Sequence, residues 1–174
     1  MSWWKTAIYD TCSLITLDKL LQERRSLSRH FPKKLLALEV SLSADQMYEE
    51  TAKRMRELVE ICEPPPLTEL ASLLSSVGLS KSLSDVDKLV FATAVHTDLP
   101  VVTGDLRLAK LLRNRKLEVG NMALILKELV ETKKLTSAVV ESLIQGLANR
   151  KDYLLGIPNP TWSDLKDYTF PERR

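Results

Sequence analysis

Short apolar runs alternate along this chain with longer stretches in which apolar residues recur every three or four positions. The first run, Thr6 to Tyr9, predicts a buried strand. Leu14, Leu17, Leu20 and Leu21 then fall on one face of a helix predicted over Ser13 to about Glu23. His30-Phe31-Pro32 breaks the pattern, and Leu35 to about Val40 predicts a second strand. Ser43 followed three residues later by Gln46 has the form of a capping box. It predicts a helix running to about Val59, with Met47, Thr51, Met55 and Leu58 on one face. Three prolines, 64 to 66, end that unit, and a helix over Leu67 to Val77 closed by Gly78 follows.

Ser84 and Asp87 repeat the capping-box spacing ahead of Val86, Leu89, Val90, Thr93, Ala94 and Thr97, which again keep helical spacing. Leu99 to Val102 predicts a third strand and Asp105 to Leu112 a helix. Leu117 to Val119 predicts another strand, and Met122 to about Glu131 and Thr136 to about Ala148 predict two helices. Strand alternating with helix implies a parallel sheet covered on both faces. The expectation is a three-layer α/β/α domain over residues 1–156, with a central parallel sheet of about four to five strands and extra C-terminal helices. Residues 157–174, rich in proline and carrying Trp162, Tyr168 and Phe170, read as an irregular tail whose aromatics pack on their own domain or on a partner.

Composition narrows the function classes. A chain of 174 residues supports one domain with a full core, and a net charge of +2 gives no global attraction to nucleic acid or membrane. Two cysteines make neither a disulfide framework nor a cysteine zinc site, and suit a reducing compartment. The start, MSWWKTAIYDTCSLI, lacks the apolar core of a signal peptide, and no run reaches the roughly 20 apolar residues of a membrane span. A cytoplasmic protein with no membrane partner is expected. Neither GxGxxG nor GxxxxGK[ST] occurs, which argues against the standard dinucleotide and phosphate-loop folds.

In a parallel α/β sheet, ligands collect beyond the carboxyl ends of the strands. Asp10 ends the first strand, Asp45 is expected in the first helical turn after the second, and Asp105 follows the third. Asp87 opens the helix before that third strand, and joins the others only if the preceding segment carries it to the same edge. Singly, each has a plain reading as a helix-capping acid worth about 0.3–1 kcal/mol. Capping does not account for an acid at each of several converging elements. Carboxylates gathered together repel unless a cation neutralises them, and hard divalent cations favour such oxygen ligands.

Two stretches resemble the signatures of PIN-domain nucleases. IYDTCSLITL resembles the opening strand, terminal Asp, small polar turn and helix. SLSDVDKLVFATAVHTDLPVVTGDLRLAKLL resembles the second signature, with Asp87 ahead of an alanine-bearing helix, the strand LPVV, then Thr103 and Asp105. Asp87 and Asp105 stand 18 residues apart, which fits that pattern without a gap. The resemblance covers Thr6 to about Gly120, and the helices from Met122 to Gly156 resemble the C-terminal part of a toxin-like subgroup. It implies a ribonuclease dependent on Mg²⁺ or Mn²⁺, with Asp10 and Asp87 as inner ligands and Asp45 and Asp105 holding the attacking water or a second ion. Thr103 would fix the rotamer of one of those carboxylates. The family's second acid is usually a Glu. Asp45 is the best-placed acid here, with Glu39 and Glu49 as alternatives, and Asp85 is a rival to Asp87.

An acidic site needs a basic rim to hold RNA, and Arg107, Lys110, Arg113, Arg115 and Lys116 follow directly on Asp105. Lys33 and Lys34 are weaker candidates, and the plain reading of such clusters is a solvated helix face. Trp3 and Trp4 could stack on bases, but a packed N-terminus or a dimer contact is the expectation; His30 and His96 are expected to be bystanders, and Cys12 a small residue in a tight turn. The resemblance also implies an antitoxin protein partner and a homodimer. The competing expectation is a PIN-like module that binds RNA or protein without cleaving. A response-regulator receiver is disfavoured because no acidic pair precedes Asp10. A haloacid-dehalogenase-type phosphatase is disfavoured because Asp10-Thr11-Cys12 lacks the second acid.

Overall fold

Strands β1 (Ile8–Tyr9) and β4 (Val101–Val102) are buried on both sides, as central parallel strands must be. Their alternation divides the core. Tyr9 and Val102 point into one apolar cluster, with Leu14, Leu17, Met55, Leu126 and Ile144, while Ile8 and Val101 point into the other, with Val90, Phe91, Leu108 and Leu112. The computed structural model describes residues 2–76 and 83–171. Its strands form one five-stranded parallel sheet in the order β3-β2-β1-β4-β5, with β2 at Leu35–Ala37, β3 at Val59–Ile61 and β5 at Val119–Gly120. Ile8 pairs with Leu36 on one side and with Val101 on the other.

Helices cover both faces, so the expected three-layer α/β/α architecture is present. One layer holds α1 (Thr11–Glu23), α3 (Glu49–Leu58), α7 (Met122–Glu131) and α8 (Ser137–Asn149). The other holds α5 (Asp85–Thr97) and α6 (Leu106–Asn114), with α4 (Leu67–Ser76) packed on α5. Helix α1 buries Leu14, Leu17 and Leu20 as its leucine spacing predicts. Gly78, the expected stop of α4, lies outside the described residues. No helix among the described residues is long and apolar enough to cross a membrane.

Two expectations need correction. The helix anticipated from Ser43 does not start there. A short helix α2 (Glu39–Leu42) follows β2 directly, and Ser43 is its C-cap, donating its hydroxyl to the Glu39 carbonyl at 3.2 Å. Residues 43–48 form a loop, turned by the Met47 amide on the Ala44 carbonyl at 2.8 Å, before α3 begins at Glu49. The cause is packing. Leu42 and Met47 are both buried, and a continuous helix through 43–48 would put these two, five positions apart, on different faces. Asp45 is therefore an exposed loop residue, not a first-turn helical one. Beyond Met47 the expected face survives, with Thr51 and Met55 buried. The second correction is β3, read from sequence as the end of that helix. It is an edge strand of three residues, too short to display a period.

The tail contains a helix, α9 (Trp162–Lys166), opened by a full capping box between Thr161 and Asp164. Leu165 is fully buried in the core beside Trp162 and Tyr168, so the tail packs on its own domain. Replacing Leu165 with Ala is expected to lower the unfolding free energy by about 2 kcal/mol or more, measured by urea denaturation. A change below about 0.5 kcal/mol would mean the tail contributes nothing to the fold.

Candidate functional site

The order β3-β2-β1-β4-β5 places the topological switch point between β1 and β4, because the chain leaves β1 toward β2 and returns on its other side. Asp10 follows β1 there. Its amide donates to the Val102 carbonyl at 3.1 Å, which joins the end of β1 to the end of β4. As N-cap of α1, its Oδ1 accepts the Ser13 amide at 2.7 Å, while the Ser13 hydroxyl donates to the same Val102 carbonyl at 3.0 Å. Its Oδ2 accepts the hydroxyl of Thr103, a fully buried residue. Thr103 Oγ1 in turn accepts the Asp105 amide at 3.0 Å. One hydroxyl thus fixes the Asp10 rotamer and the backbone carrying Asp105.

Asp105 is the N-cap of α6, with Oδ1 accepting the amides of Arg107 at 2.6 Å and Leu108 at 3.1 Å. Asp87 lies in the first turn of α5. Its amide donates to Ser84 Oγ at 3.0 Å, and the Ser84 hydroxyl donates to Asp87 Oδ2 at 2.6 Å. A helix that leads into a parallel strand must begin at the carboxyl edge of the sheet, so α5 delivers Asp87 to the edge where β1 and β4 end. A cavity of about 490 Å³ results, lined by Asp45, Asp85, Asp87, Asp105, Cys12 and Gln46. Asp10 is not among the residues that line this cavity and is only 2% exposed.

Electrostatics tie the buried acid to the cavity. Burial pushes the Asp10 carboxyl up to about 6. The hydrogen bonds from Thr103 and Ser13 oppose that rise, and the charge of Asp87 adds to it. Burial, followed by the charges of Asp10, Asp87 and Asp105, pushes the Cys12 thiol up to about 12. Cys12 is therefore a protonated thiol at neutral pH and no nucleophile. The charge of Asp152 adds to those of Asp10, Asp87 and Asp105, so four acids bear on this point of the first turn of α1.

The other sequence candidates separate. Glu39 is half-exposed and gives its carboxylate to Arg56, which holds it below the usual range. Glu49 is exposed at the start of α3 and does not line the cavity. Asp85 lines the cavity, but its carboxylate is 93% exposed and pairs with Lys88 at 2.7 Å. Of the basic run, Arg107 sits in the first turn of α6 beside Asp105, and Lys110 one turn on. Arg113 stacks its guanidinium over Phe170 at 4.8 Å and donates to the Pro171 carbonyl. Arg115 and Lys116 lie past the far end of α6, about 15 Å along its axis from Asp105. Closeness in sequence does not bring that pair to the acids. His96 pairs with Glu69 near the other end of α5, away from the site.

Ser13, which braces Asp10 from below, was not among the sequence candidates. Its signal was the Asp-x-x-Ser spacing of a side-chain-capped helix start. Removing the Thr103 hydroxyl with Thr103→Val is expected to raise the Asp10 midpoint above its value of about 6, followed by carboxyl NMR titration. It should also destabilise the fold by roughly 1 kcal/mol, because the part-buried Asp105 amide loses its acceptor. An unchanged midpoint would show that Thr103 does not govern this carboxylate.

Among the described residues, no three Asp, Glu, His or Cys side chains are arranged as they stand to hold a metal ion. The donor chemistry nonetheless suits a hard divalent cation, for which Mg²⁺ takes one or two carboxylates and keeps several waters. A buried carboxylate hydrogen-bonded by neutral donors and raised further by the charge of a second acid has a charge that a cation would relieve. No protein-family model matches the chain, and no curated protein is detectably similar to it.

Proposed function

We propose that this protein is a PIN-like, metal-dependent endoribonuclease that hydrolyses RNA phosphodiester bonds. The observation that carries the reading is the buried Asp10 carboxylate at the switch point, linked through Thr103 to Asp105 and raised by the charge of Asp87. Asp10 and Asp87 would hold Mg²⁺ or Mn²⁺, with Asp105 and the loop acid Asp45 at the open side of the cavity. A cation there supplies a lowered pKa to water and offsets charge on the phosphate. The chain's own part is to orient and to exclude. Thr103 and Ser13 lock the Asp10 rotamer, the first turns of α1 and α6 wall the cleft, and Arg107, in the first turn of α6, would meet a phosphate at the rim.

One observation favours a second reading, a PIN-like module that binds RNA or protein without cutting. It is the lack, among the described residues, of a three-ligand group. Incubating the protein with single-stranded and structured RNA in Mn²⁺, Mg²⁺ or EDTA, and titrating Mn²⁺ by calorimetry, separates the two. Cleavage only with metal, together with binding heat, supports the nuclease. No cleavage and no heat leaves the binding module.

The loop acid has its own test. Asp45→Asn is expected to lower cleavage by about 10-fold or more, whereas Glu39→Gln, which removes an exposed ion pair with Arg56, should leave it near wild type. Initial rates at saturating Mn²⁺ decide this, and the reverse ranking would make Glu39 the second acid.

A further inference from the structure

A second cavity, of about 570 Å³, lies beside the acidic cleft and shares Cys12 and Asp105 with it as a common wall. Its character is different. Tyr153, Tyr168 and Phe170 line it, with Gly104 at the edge nearer the acids. Its volume is in the range of sites that enclose a small organic group between apolar walls.

Tyr168 and Phe170 are held in place. The Asn121 side chain donates to the Tyr168 hydroxyl at 2.7 Å, Lys127 donates to the Tyr168 carbonyl at 3.3 Å, and Arg113 stacks on Phe170. Tyr153 is different, 49% exposed at the rim. Its carbonyl accepts the Gly156 amide at 2.8 Å, in a turn that Gly156 completes at φ +74°. Gly104 lines this cavity next to the shared wall residue Asp105, and a Cβ there would meet nothing within 4 Å.

We infer that this cavity receives one unstacked base of a single-stranded RNA whose adjoining phosphate lies in the acidic cleft, with Tyr153 as the stacking platform. The inference rests on the nuclease reading for the identity of the strand. Aromatic faces take any base in a stack, and a base can enter only when released from a duplex, so the pocket selects single-stranded over paired substrate. It also gives a structural part to the tail, which supplies two of the three aromatics.

The test reads binding without cleavage. A short single-stranded RNA carrying 2-aminopurine is titrated in Ca²⁺, another hard cation for oxygen ligands, over times too short for cleavage, with wild type, Tyr153→Ala and Tyr153→Phe, following the quenching that stacking produces. Wild type and Tyr153→Phe should quench and bind alike. Tyr153→Ala should bind roughly 5- to 100-fold more weakly, and the same sequence as a duplex should not compete. Equal binding by Tyr153→Ala, competition by the duplex, or no quenching by wild type overturns the inference. A protein that quenches as described but never cuts in any metal sinks the nuclease reading and keeps the base pocket. A protein that cuts, with Tyr153→Ala cutting at unchanged KM, does the opposite.

Discussion

Asp10→Asn is expected to abolish metal-dependent RNA cleavage, by about 100-fold or more, and at the same time to stabilise the metal-free fold at neutral pH. The two effects share one cause. Burial holds the Asp10 carboxyl at about 6 in the folded protein, against 3.8 for an ordinary Asp. Between those values the folded chain binds more protons than the unfolded chain, so stability falls as pH rises through that window and is level above it. The accumulated penalty is about 3 kcal/mol, taking 1.36 kcal/mol per pKa unit. An amide at this position keeps its oxygen for the Ser13 amide and carries no charge to desolvate. Thermal unfolding at pH 4 and pH 7.5, without metal, should show the variant gaining on wild type only at the higher pH. Added Mn²⁺ should raise the wild-type Tm, continuing upward with the logarithm of its concentration beyond saturation, and leave the variant unmoved. A variant no more stable than wild type at pH 7.5, with the same response to Mn²⁺, would mean that Asp10 is neither a strained charge nor a ligand.

How much of this was legible in sequence follows from the range of the forces involved. Asp10, Thr103 and Asp105 were readable because each is set by its own strand end and by the helix start beside it, all local chemistry. The same holds for Ser84 as the cap of α5. The break at residues 43–48 was not readable. Ser43 and Gln46 have the form of a capping box, and only the tertiary demand to bury both Leu42 and Met47 overrules it. Strand β3 escaped because Val59-Glu60-Ile61 is too short to show alternation, and at an edge its last two residues are exposed. The convergence of Asp87 with Asp10 depends on a return crossing of the sheet that no local pattern encodes. Arg115 and Lys116 show the reciprocal effect, since α6 carries them away from an acid only ten and eleven residues behind.

The second large effect lies outside the cleft. Asp18 sits inside the leucine stripe of α1 and is buried, 2% exposed, where an acid can stay charged only with partners. Arg54 of α3 donates through Nε at 2.8 Å and Nη2 at 2.7 Å, Gln22 at 2.7 Å and Thr51 at 3.1 Å. Burial pushes the Asp18 carboxyl up, but these hydrogen bonds outweigh it and hold the group below its ordinary value. Arg54→Ala leaves a buried carboxylate with neutral donors only, and is expected to lower the urea midpoint at pH 7. The sign with pH follows. Wild type keeps this contribution above the unfolded pKa and loses it as pH falls through the lowered folded value. In Arg54→Ala burial is no longer opposed by the guanidinium, so the carboxyl protonates more readily and the deficit should shrink on acidification toward pH 4. Asp18→Leu combined with Arg54→Leu should recover most of the loss, because an apolar pair has no charge to desolvate. A deficit constant from pH 7 to pH 4 would assign the effect to lost packing of the arginine stem instead. Asp18 stands about 12 Å along α1 from Asp10. The arginine thus anchors the helix whose first turn forms the site, and cleavage per folded molecule should be unchanged while the folded fraction falls.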